Sequence, residues 1–290
     1  MVDTDVRAIL FDSDVATVGR WRCPVGHPLF RDSGPARRYL FCFPRTSVWI
    51  QHDGGEPFVA DPNTVTYYNQ GQLYRRMELS DRGDRGDWFA IAPQVIADLL
   101  AEWDPSARDR QDRPFTFSHG PCDADTYLLQ RALFEHVARE SCPDTLFVEE
   151  SVLHILARTA ALAYATAGTP PFAPNRRRQR DLAEAARAVV AGRFDEPLSL
   201  PIIASLVDTS VFHLARVFRG VTGTTLHAYR NQLRLRAALE RVADPGSDLL
   251  SVAIDLGYSS HSHFTDAFRR TFKITPSALR AGATLRVPRA

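Results

Sequence analysis

Apolar positions near the C-terminal end of the chain repeat with the period of a helix. In GYSSHSHFTDAFRRTF, residues 257–272, Phe264, Phe268 and Phe272 lie four positions apart. This spacing places the three rings on one helix face, and the hydroxyl, histidine and arginine side chains between them on the other. The pattern predicts a helix with one buried face, and leaves open whether its polar face is only solvated or contacts a ligand.

A related pattern lies 50 residues earlier. SVFHLARVFRGVTGTTLHAYR (210–230) and SHSHFTDAFRRTFKITPSALR (260–280) share seven of 21 residues. A short helical segment precedes each copy, PIIASLV and SVAIDL, and these segments end at Asp208 and Gly257, residue types that tolerate positive φ. A short helix, a tight turn and a longer helix make a helix-turn-helix, so the sequence predicts two of them.

The longer helix of each pair is predicted to bury one face and expose the other. We expect Leu214, Val217 and Phe218, and likewise Phe264, Ala267 and Phe268, to face inward. The outward side chains carry donors, acceptors and small apolar groups that suit base edges and phosphates. The predicted DNA-binding residues are Phe212, His213, Ala215, Arg216, Arg219, His261, Ser262, Thr265, Asp266 and Arg269.

The segment between the pairs, residues 225–243, has a strongly helical pattern. A helix of this length would be roughly 28 Å long, near the ~34 Å between successive major-groove faces on one side of a duplex. Two helices joined by such a spacer could enter adjacent grooves without dimerisation.

Residues 20–92 are predicted to be rich in strands, and the chain from Pro93 onward to be helical. SVWIQH, a DGG turn and EPFVA form a hairpin pattern, and TVTYYN and QLYRRMEL follow. We interpret DRGDRGDW (81–88) as a charged turn and expect Gly83 and Gly86 to break the chain before DWFAIA. Short strands at this spacing indicate a small antiparallel sandwich or barrel. Three helical patterns come next, and residues 146–167 form either a dimer helix or one packed within its own domain.

The sign of the net charge changes along the chain at a segment rich in proline and glycine. Residues 1–174 hold 17 arginines and 24 acids, whereas residues 175–290 hold 18 basic and 10 acidic residues. A basic C-terminal third is typical of a part that meets a polyanion, although uneven composition by chance is the alternative. GTPPFAPNR (168–176) reads as a linker. We therefore predict a sensor and dimerisation domain at 1–167, a linker at 168–178 and a DNA-binding domain at 179–285.

Residues 180–282 resemble the AraC/XylS family of bacterial transcription regulators. LARVFRGVTGTTLHAYRNQLRLRAALE and VAIDLGYSSHSHFTDAFRRTFKITPSALR carry the resemblance. It implies seven helices with two helix-turn-helix units, base contacts from Phe212, Ala215, Arg216, His261, Ser262, Thr265 and Asp266, and phosphate contacts from His213 and Arg269. It also implies a cupin-like antiparallel β-barrel with helices before an all-α C-terminal domain, an α+β chain overall.

Two positions depart from the family pattern. Lys273 stands where a helix-ending glycine is usual. Asp266 points a carboxylate toward DNA, where it would either accept from a cytosine amino group or repel phosphate. The second unit is therefore expected to be the weaker reader.

Two kinds of effector site are predicted in the N-terminal domain. Aromatic residues could line an apolar pocket for a small molecule: Trp21, Trp49, Tyr67, Tyr68 and Tyr74. Alternatively, zinc or another soft metal could bind a set of residues with suitable spacing: Cys23, His27, His119 and Cys122. A redox-active thiol is a further possibility. The structural alternative is that the cysteines are buried thiols and the histidines ordinary surface residues.

No nucleophile-elbow, zincin or P-loop motif is present in the sequence, so an enzyme fused to a DNA-binding module is the least favoured reading. The predicted partners are double-stranded DNA, the effector, RNA polymerase and a second copy of the chain, with no membrane partner. The acidic N-terminus lacks a secretory signal pattern, which predicts a cytoplasmic protein.

Overall fold

A computed structural model of the chain describes residues 6–31, 34–110, 112–167, 176–242, 244, 246–258 and 260–281, without the side chains of residues 94, 176 and 212. Two compact units lie within Met1–Pro170 and Pro171–Leu285. Of the predicted linker, residues 168–175 fall outside the described residues and 176–178 begin a helix. The predicted domain boundaries themselves remain predictions.

Antiparallel strands make up most of the N-terminal unit. The described strands are β1 (Arg7–Asp12), β2 (Ala16–Cys23), β3 (Leu40–Pro44), β4 (Val48–His52), β5 (Phe58–Ala60), β6 (Thr64–Tyr68), β7 (Tyr74–Met77), β8 (Asp84–Ile91) and β9 (His119–Pro121). They form a six-stranded sheet, in the order β1-β2-β8-β3-β6-β9, and a three-stranded sheet, in the order β5-β4-β7.

The predicted hairpin is confirmed, because Val48 pairs with Ala60 and Ile50 with Phe58. Two other expectations are wrong. Strands begin at Arg7, before the predicted start of the sheet near residue 20. β8 runs through Gly86 without a break, since β2 and β3 pair with it on both sides.

The predicted charged turn at DRGDRGDW holds for Asp81 and Arg82, which are exposed in a turn, but not for the other two acidic residues. Asp84 and Asp87 lie on β8 and are buried. Asp84 forms an ion pair with Arg76, and Asp87 lies 2.9 Å from Arg45 and 3.2 Å from Arg131. Buried carboxylates need such partners, so Asp84 and Asp87 belong to internal ion pairs.

The core of the N-terminal unit lies between the two sheets. Trp21, Leu40 and Trp88 of the larger sheet share one buried cluster with Ile50 and Tyr74 of the smaller sheet. Two antiparallel layers around one core agree with the predicted barrel-like domain. In the described pairings the larger sheet stays open, with β1 and β9 at its edges.

Three helices complete this unit: α1 (Pro93–Leu100), α2 (Ala124–Arg139) and α3 (Thr145–Ala167). Val148, Val152, Ile155 and Leu156 are completely buried, Leu162 of the same apolar stripe is half-buried, and α3 packs against β9 and α2. These four buried positions are used within their own unit, which favours the second alternative, and self-association through α3 remains a prediction.

The C-terminal unit is helical throughout its described part, as predicted. Its helices are α4 (Arg176–Gly192), α5 (Leu200–Leu206), α6 (Val211–Thr222), α7 (Leu226–Val242), α8 (Leu249–Asp255), α9 (His261–Phe272) and α10 (Pro276–Arg280). This agrees with the two helix-turn-helix units and the connecting helix that the family resemblance implies.

Candidate DNA-binding surface and effector cavity

The two helix-turn-helix units are α5 with α6, and α8 with α9. Helices α6 and α9 each have 12 residues and begin after a serine. Ser210 accepts a hydrogen bond from the backbone N–H of His213 at 3.2 Å, and Ser260 accepts from that of His263 at 3.1 Å. Serine is a favoured residue at this position because it satisfies an otherwise unpaired N–H of the first turn.

The two units differ in the length of their turns. Helices α6 and α9 are related by 50 residues, but the caps before α5 and α8, Ser199 and Asp248, are 49 apart. After α5, the N–H of Thr209 donates to the Ala204 carbonyl, as that of Tyr258 does to Ala253 after α8, both at 3.0 Å. This Schellman arrangement is common to both units. The second turn therefore contains one additional residue.

The inward faces of α6 and α9 agree with the prediction. Leu214 and Phe218 are completely buried, as are Phe264 and Phe268. Tyr229 of α7 packs edge-on against Phe218, with ring centroids 5.5 Å apart. Burying one face against the domain fixes the rotation of each helix and so determines which side chains remain outside.

Most of the predicted DNA-contacting side chains lie outside. The exposed residues are Ala215, Arg216, Arg219, Ser262, Asp266 and Arg269, and the half-buried ones are His213, His261 and Thr265. The side chain of Phe212 lies outside the described part of the structure. The Asp266 carboxylate lies 3.5 Å from the Arg269 guanidinium, and both are exposed. Asp266 therefore has a neighbouring positive charge that offsets its repulsion of a phosphate.

Thr265 differs from the expectation. Its hydroxyl oxygen is buried and has no hydrogen-bond partner among the described residues. In this orientation the hydroxyl is turned away from solvent, and the exposed part of Thr265 presents an apolar contact.

Helix α7 joins the two units and carries a buried arginine that sequence reasoning missed. At ~1.5 Å per residue its 17 residues span about 26 Å. The Arg234 guanidinium donates to the carbonyls of Phe194 at 2.6 Å, Gly257 at 2.8 Å and Glu196 at 3.2 Å. Burial lowers the pKa of Arg234, and the charge of Arg230 acts in the same direction. One side chain thus ties the loop before α5 to the turn of the second unit.

Comparisons with known proteins agree with this geometry. A helix-turn-helix domain model matches residues 203–282. The regulatory protein SoxS of Salmonella typhimurium is 38% identical over 86 residues, which cover 30% of this chain and 80% of SoxS. The chain belongs to the AraC/XylS family.

Another relative and a solved structure are also similar to part of this chain. The transcriptional regulator Rob of Salmonella typhimurium is 34% identical over 89 residues, 31% of each chain. The solved structure of an AraC-type regulator from Chromobacterium violaceum is 28% identical, covering 39% of this chain and all of its own, with a TM-score of 0.35. Family membership makes this chain an AraC-type, DNA-binding transcriptional regulator. The described helices include none that is long and apolar enough to cross a membrane.

The N-terminal unit of this AraC-type regulator encloses a cavity of about 640 Å³ between its sheets. Its lining combines aromatic and aliphatic side chains with several charged ones. The lining residues are Arg7, Ala8, Ile9, Trp21, Arg37, Arg38, Leu40, Cys42, Pro44, Ile50, Ala60, Thr66, Tyr68, Tyr74, Arg76, Asp84, Gly86, Asp87 and Trp88. This volume is within the usual range for small-molecule sites.

Three of the five predicted aromatic residues, Trp21, Tyr68 and Tyr74, line this cavity. Trp49 and Tyr67 do not, and the alternation of side chains along a strand explains why. Because Ile50 and Tyr68 face the cavity, their neighbours face the opposite side of each sheet. Tyr67 packs there against Phe117, with centroids 4.7 Å apart. Sequence reasoning missed Trp88, Arg76 and three further arginines of the lining, Arg7, Arg37 and Arg38. Arg76 could have been found, because it lies two positions after Tyr74 and therefore on the same strand face.

The predicted metal ligands are not brought together. Cys23 ends β2, whereas His119 and Cys122 lie at β9, four strand positions away and about 19 Å along the sheet. No group of three His, Cys, Asp or Glu side chains suited to one metal ion occurs among the described residues. His27 instead accepts a backbone hydrogen bond from Leu29, and His119 stacks on Phe58 at 4.1 Å. This arrangement corrects the prediction of a shared soft-metal site.

The cysteine that lines the cavity gives little support to thiol sensing there. Burial raises the pKa of Cys42, which lines the cavity, to about 12. The reactive form of a cysteine is the thiolate, so a thiol with this pKa reacts slowly near neutral pH.

Proposed function

We propose that the C-terminal unit places α6 and α9 in successive major grooves of double-stranded DNA, and that a small molecule in the N-terminal cavity controls this binding. The observation that carries the proposal is the matched pair of reading helices. Both have the same length, cap and buried face, and both expose a polar face. The spacer helix between them spans about 26 Å, roughly three quarters of the ~34 Å helical repeat of DNA.

Within this proposal the exposed side chains divide into base readers and phosphate contacts. Arg216 suits a guanine because its guanidinium can donate two hydrogen bonds to O6 and N7. Phe212, Ala215, His261, Ser262 and Asp266 are the other proposed base contacts, with Thr265 limited to its methyl group. His213, Arg219 and Arg269 are the proposed phosphate contacts, which supply affinity that depends on salt.

The cavity supports effector control on chemical grounds. It has a drug-sized volume, aromatic walls and a few charged groups, as ligand sites usually do. An effector can change DNA binding only if it binds more tightly to one arrangement of the protein than to another. Contact with RNA polymerase and self-association remain predictions.

The DNA-binding half of the proposal is tested with duplexes that the full chain selects from a random library. In Arg216→Ala, affinity for a selected duplex is expected to fall about 10- to 100-fold, with a much smaller loss for unrelated DNA. In Arg219→Ala, both affinities are expected to fall by similar factors and the dependence on salt to weaken. Fluorescence anisotropy over a range of salt concentrations measures both.

Arg193→Ala is the matched control, because it also removes one arginine but lies outside both helix-turn-helix units. Its side chain forms an exposed ion pair with Glu196. We expect less than a twofold change. If Arg216→Ala behaved like this control, Arg216 would not be a base reader and the proposed orientation of α6 would be wrong.

The effector half is tested by screening small molecules for those that change affinity for the selected duplex. Ile9 lies on edge strand β1, on the strand face that also carries Arg7 and faces Trp21, and it lines the cavity. Ile9→Trp therefore places a large ring at the cavity wall and should remove the effect of every molecule that acts there. A molecule that acted equally on wild type and Ile9→Trp would show control from another site.

A further inference from the structure

The charge balance of the N-terminal cavity indicates which ligands it accepts. We propose that its ligand is an organic anion with an apolar body. This inference rests on the proposed function, because it names the chemical class of the effector. Three features of the lining support it: the acidic residues are already paired with arginines, two other arginines are available, and the rest of the wall is apolar.

Both acidic residues of the cavity lining already have partners. Asp84 forms a buried ion pair with Arg76, and Asp87 lies within 3.2 Å of both Arg45 and Arg131. A cationic ligand would have to displace one of these arginines, which costs more than the ligand returns when the pair is buried. The acids of this cavity are therefore structural groups.

Two arginines of the lining are available to a ligand. No carboxylate of the described residues lies against Arg7 or Arg37. Arg7 lies over the Trp21 ring, with its guanidinium carbon 5.3 Å from the ring centroid, and Arg37 is exposed. Arg38, by contrast, is paired with Asp12 at 2.9 Å. Guanidinium groups bind carboxylates and related anions through charge-assisted hydrogen bonds.

The remaining wall favours an apolar body over a sugar. Trp21, Trp88, Leu40 and Ile50 present large apolar surfaces, and the lining has neither Asn nor Gln. A neutral polyol would need acceptors for its hydroxyl groups, and the carboxylates that could accept are already engaged. Apolar burial together with one anionic group matches every part of this lining.

Two fluorescent probes with one scaffold separate charge from shape. 1-Anilinonaphthalene-8-sulfonate is an anion, and N-phenyl-1-naphthylamine is the same aromatic scaffold without the sulfonate. The full chain is expected to bind the anionic probe at least about tenfold more tightly. Arg7→Gln and Arg37→Gln should each weaken the anionic probe by about three- to tenfold and the neutral one by less than twofold. Added salt should likewise weaken only the anionic probe.

Two controls locate the effect. Arg20→Gln removes an exposed arginine of β2 that does not line the cavity, and should leave both affinities unchanged. Ile9→Trp should weaken both probes, because Ile9 lines the cavity and the added ring occupies their site. Thermal unfolding of each variant establishes that it is folded before binding is compared.

The alternative outcomes are distinct. Equal affinity for both probes, or no effect of Arg7→Gln and Arg37→Gln, would overturn the anion assignment and leave an effector cavity of another specificity. Anionic binding that persists in Ile9→Trp would place the probe elsewhere on the surface and also overturn it. Loss of DNA selection by Arg216→Ala is measured separately, so the proposed function stands or fails independently.

Discussion

The two helix-turn-helix units of this regulator share caps, helix lengths and buried faces, but they assign glycine to different positions. In the first unit the turn contains Asp208 at φ 49°, and α6 ends at Gly223 at φ 73°. In the second unit the turn contains Gly257 at φ 77°, and α9 ends at Lys273 at φ 58°. Each unit thus has one glycine and one other residue in left-handed backbone, in opposite order.

Neighbouring atoms explain part of this exchange. A β-carbon added at Gly257 would lie 2.4 Å from Nη2 of Arg234 and 2.8 Å from the Asp195 carbonyl oxygen, whereas one added at Gly223 would meet nothing within 4 Å. The second turn therefore requires glycine because α7 is anchored there. At the ends of α6 and α9 only the backbone conformation favours glycine, so another residue is tolerated at a modest cost. The two repeated units therefore keep the same fold, although only the turn of the second unit contacts the Arg234 side chain of the connecting helix α7.

The largest effect is expected from removing that connection. Arg234→Met keeps much of the side-chain volume but leaves the carbonyls of Phe194, Glu196 and Gly257 without their donor. We expect a loss of about 3–5 kcal/mol in the free energy of unfolding of the C-terminal unit. Urea unfolding of the full chain, followed by far-ultraviolet circular dichroism, measures it.

The chain provides an internal control for this measurement. All four tryptophans, Trp21, Trp49, Trp88 and Trp103, lie in the N-terminal unit, so tryptophan fluorescence follows that unit separately. Arg241→Met is the matched variant, because Arg241 also extends from α7 to the second unit but pairs with Asp255 at the surface. Exposed pairs contribute about 0–1 kcal/mol. Equal losses for both variants would show that Arg234 is not a special anchor.

A smaller but still large effect is expected at the second turn. Gly257→Ala forces either Arg234 or the chain at Asp195 to move, in addition to the cost of a β-carbon at positive φ. We expect a loss of about 2–4 kcal/mol, against about 1 kcal/mol for Gly223→Ala, in which only the backbone term applies. The same unfolding measurement compares them, and similar losses would contradict the crowding at Gly257.

Local periodicity was enough to predict the reading helices. Ser210 and Ser260 mark their starts, and Phe218 and Phe268 lie on their buried faces, because both signals lie within one or two turns of helix. An alignment at one fixed offset does not show the additional residue of the second turn. The sequence nevertheless contained the signal, because the predicted turn residues Asp208 and Gly257 lie 49 positions apart, whereas the repeat offset is 50.

In the N-terminal unit, the predictions that failed depend on contacts between distant residues. Nothing near Asp87 in the sequence indicates that Arg45 and Arg131 neutralise it. The exclusion of Tyr67 from the cavity was predictable, since adjacent strand residues face opposite sides and Tyr68 was a candidate too. The metal site failed for a topological reason, because spacing along the chain does not show that three strands separate Cys23 from Cys122.

The smallest expected effect concerns the helix ends and would sharpen the comparison most directly. Lys273→Gly relieves a non-glycine residue at positive φ, but it also removes the exposed hydrogen bond that Nζ of Lys273 donates to the Arg270 carbonyl at 2.9 Å. We expect a net gain of about 0.5–1 kcal/mol in the free energy of unfolding of the C-terminal unit. The reverse change, Gly223→Lys, should lose a similar amount, because the space around Gly223 is open and only the backbone term applies. Opposite signs for the two changes would establish that the second unit accepts a strained helix end that the first avoids. A loss in both would mean that the lysine cap at Arg270 outweighs the backbone cost, and that the two helix ends are equally well adapted.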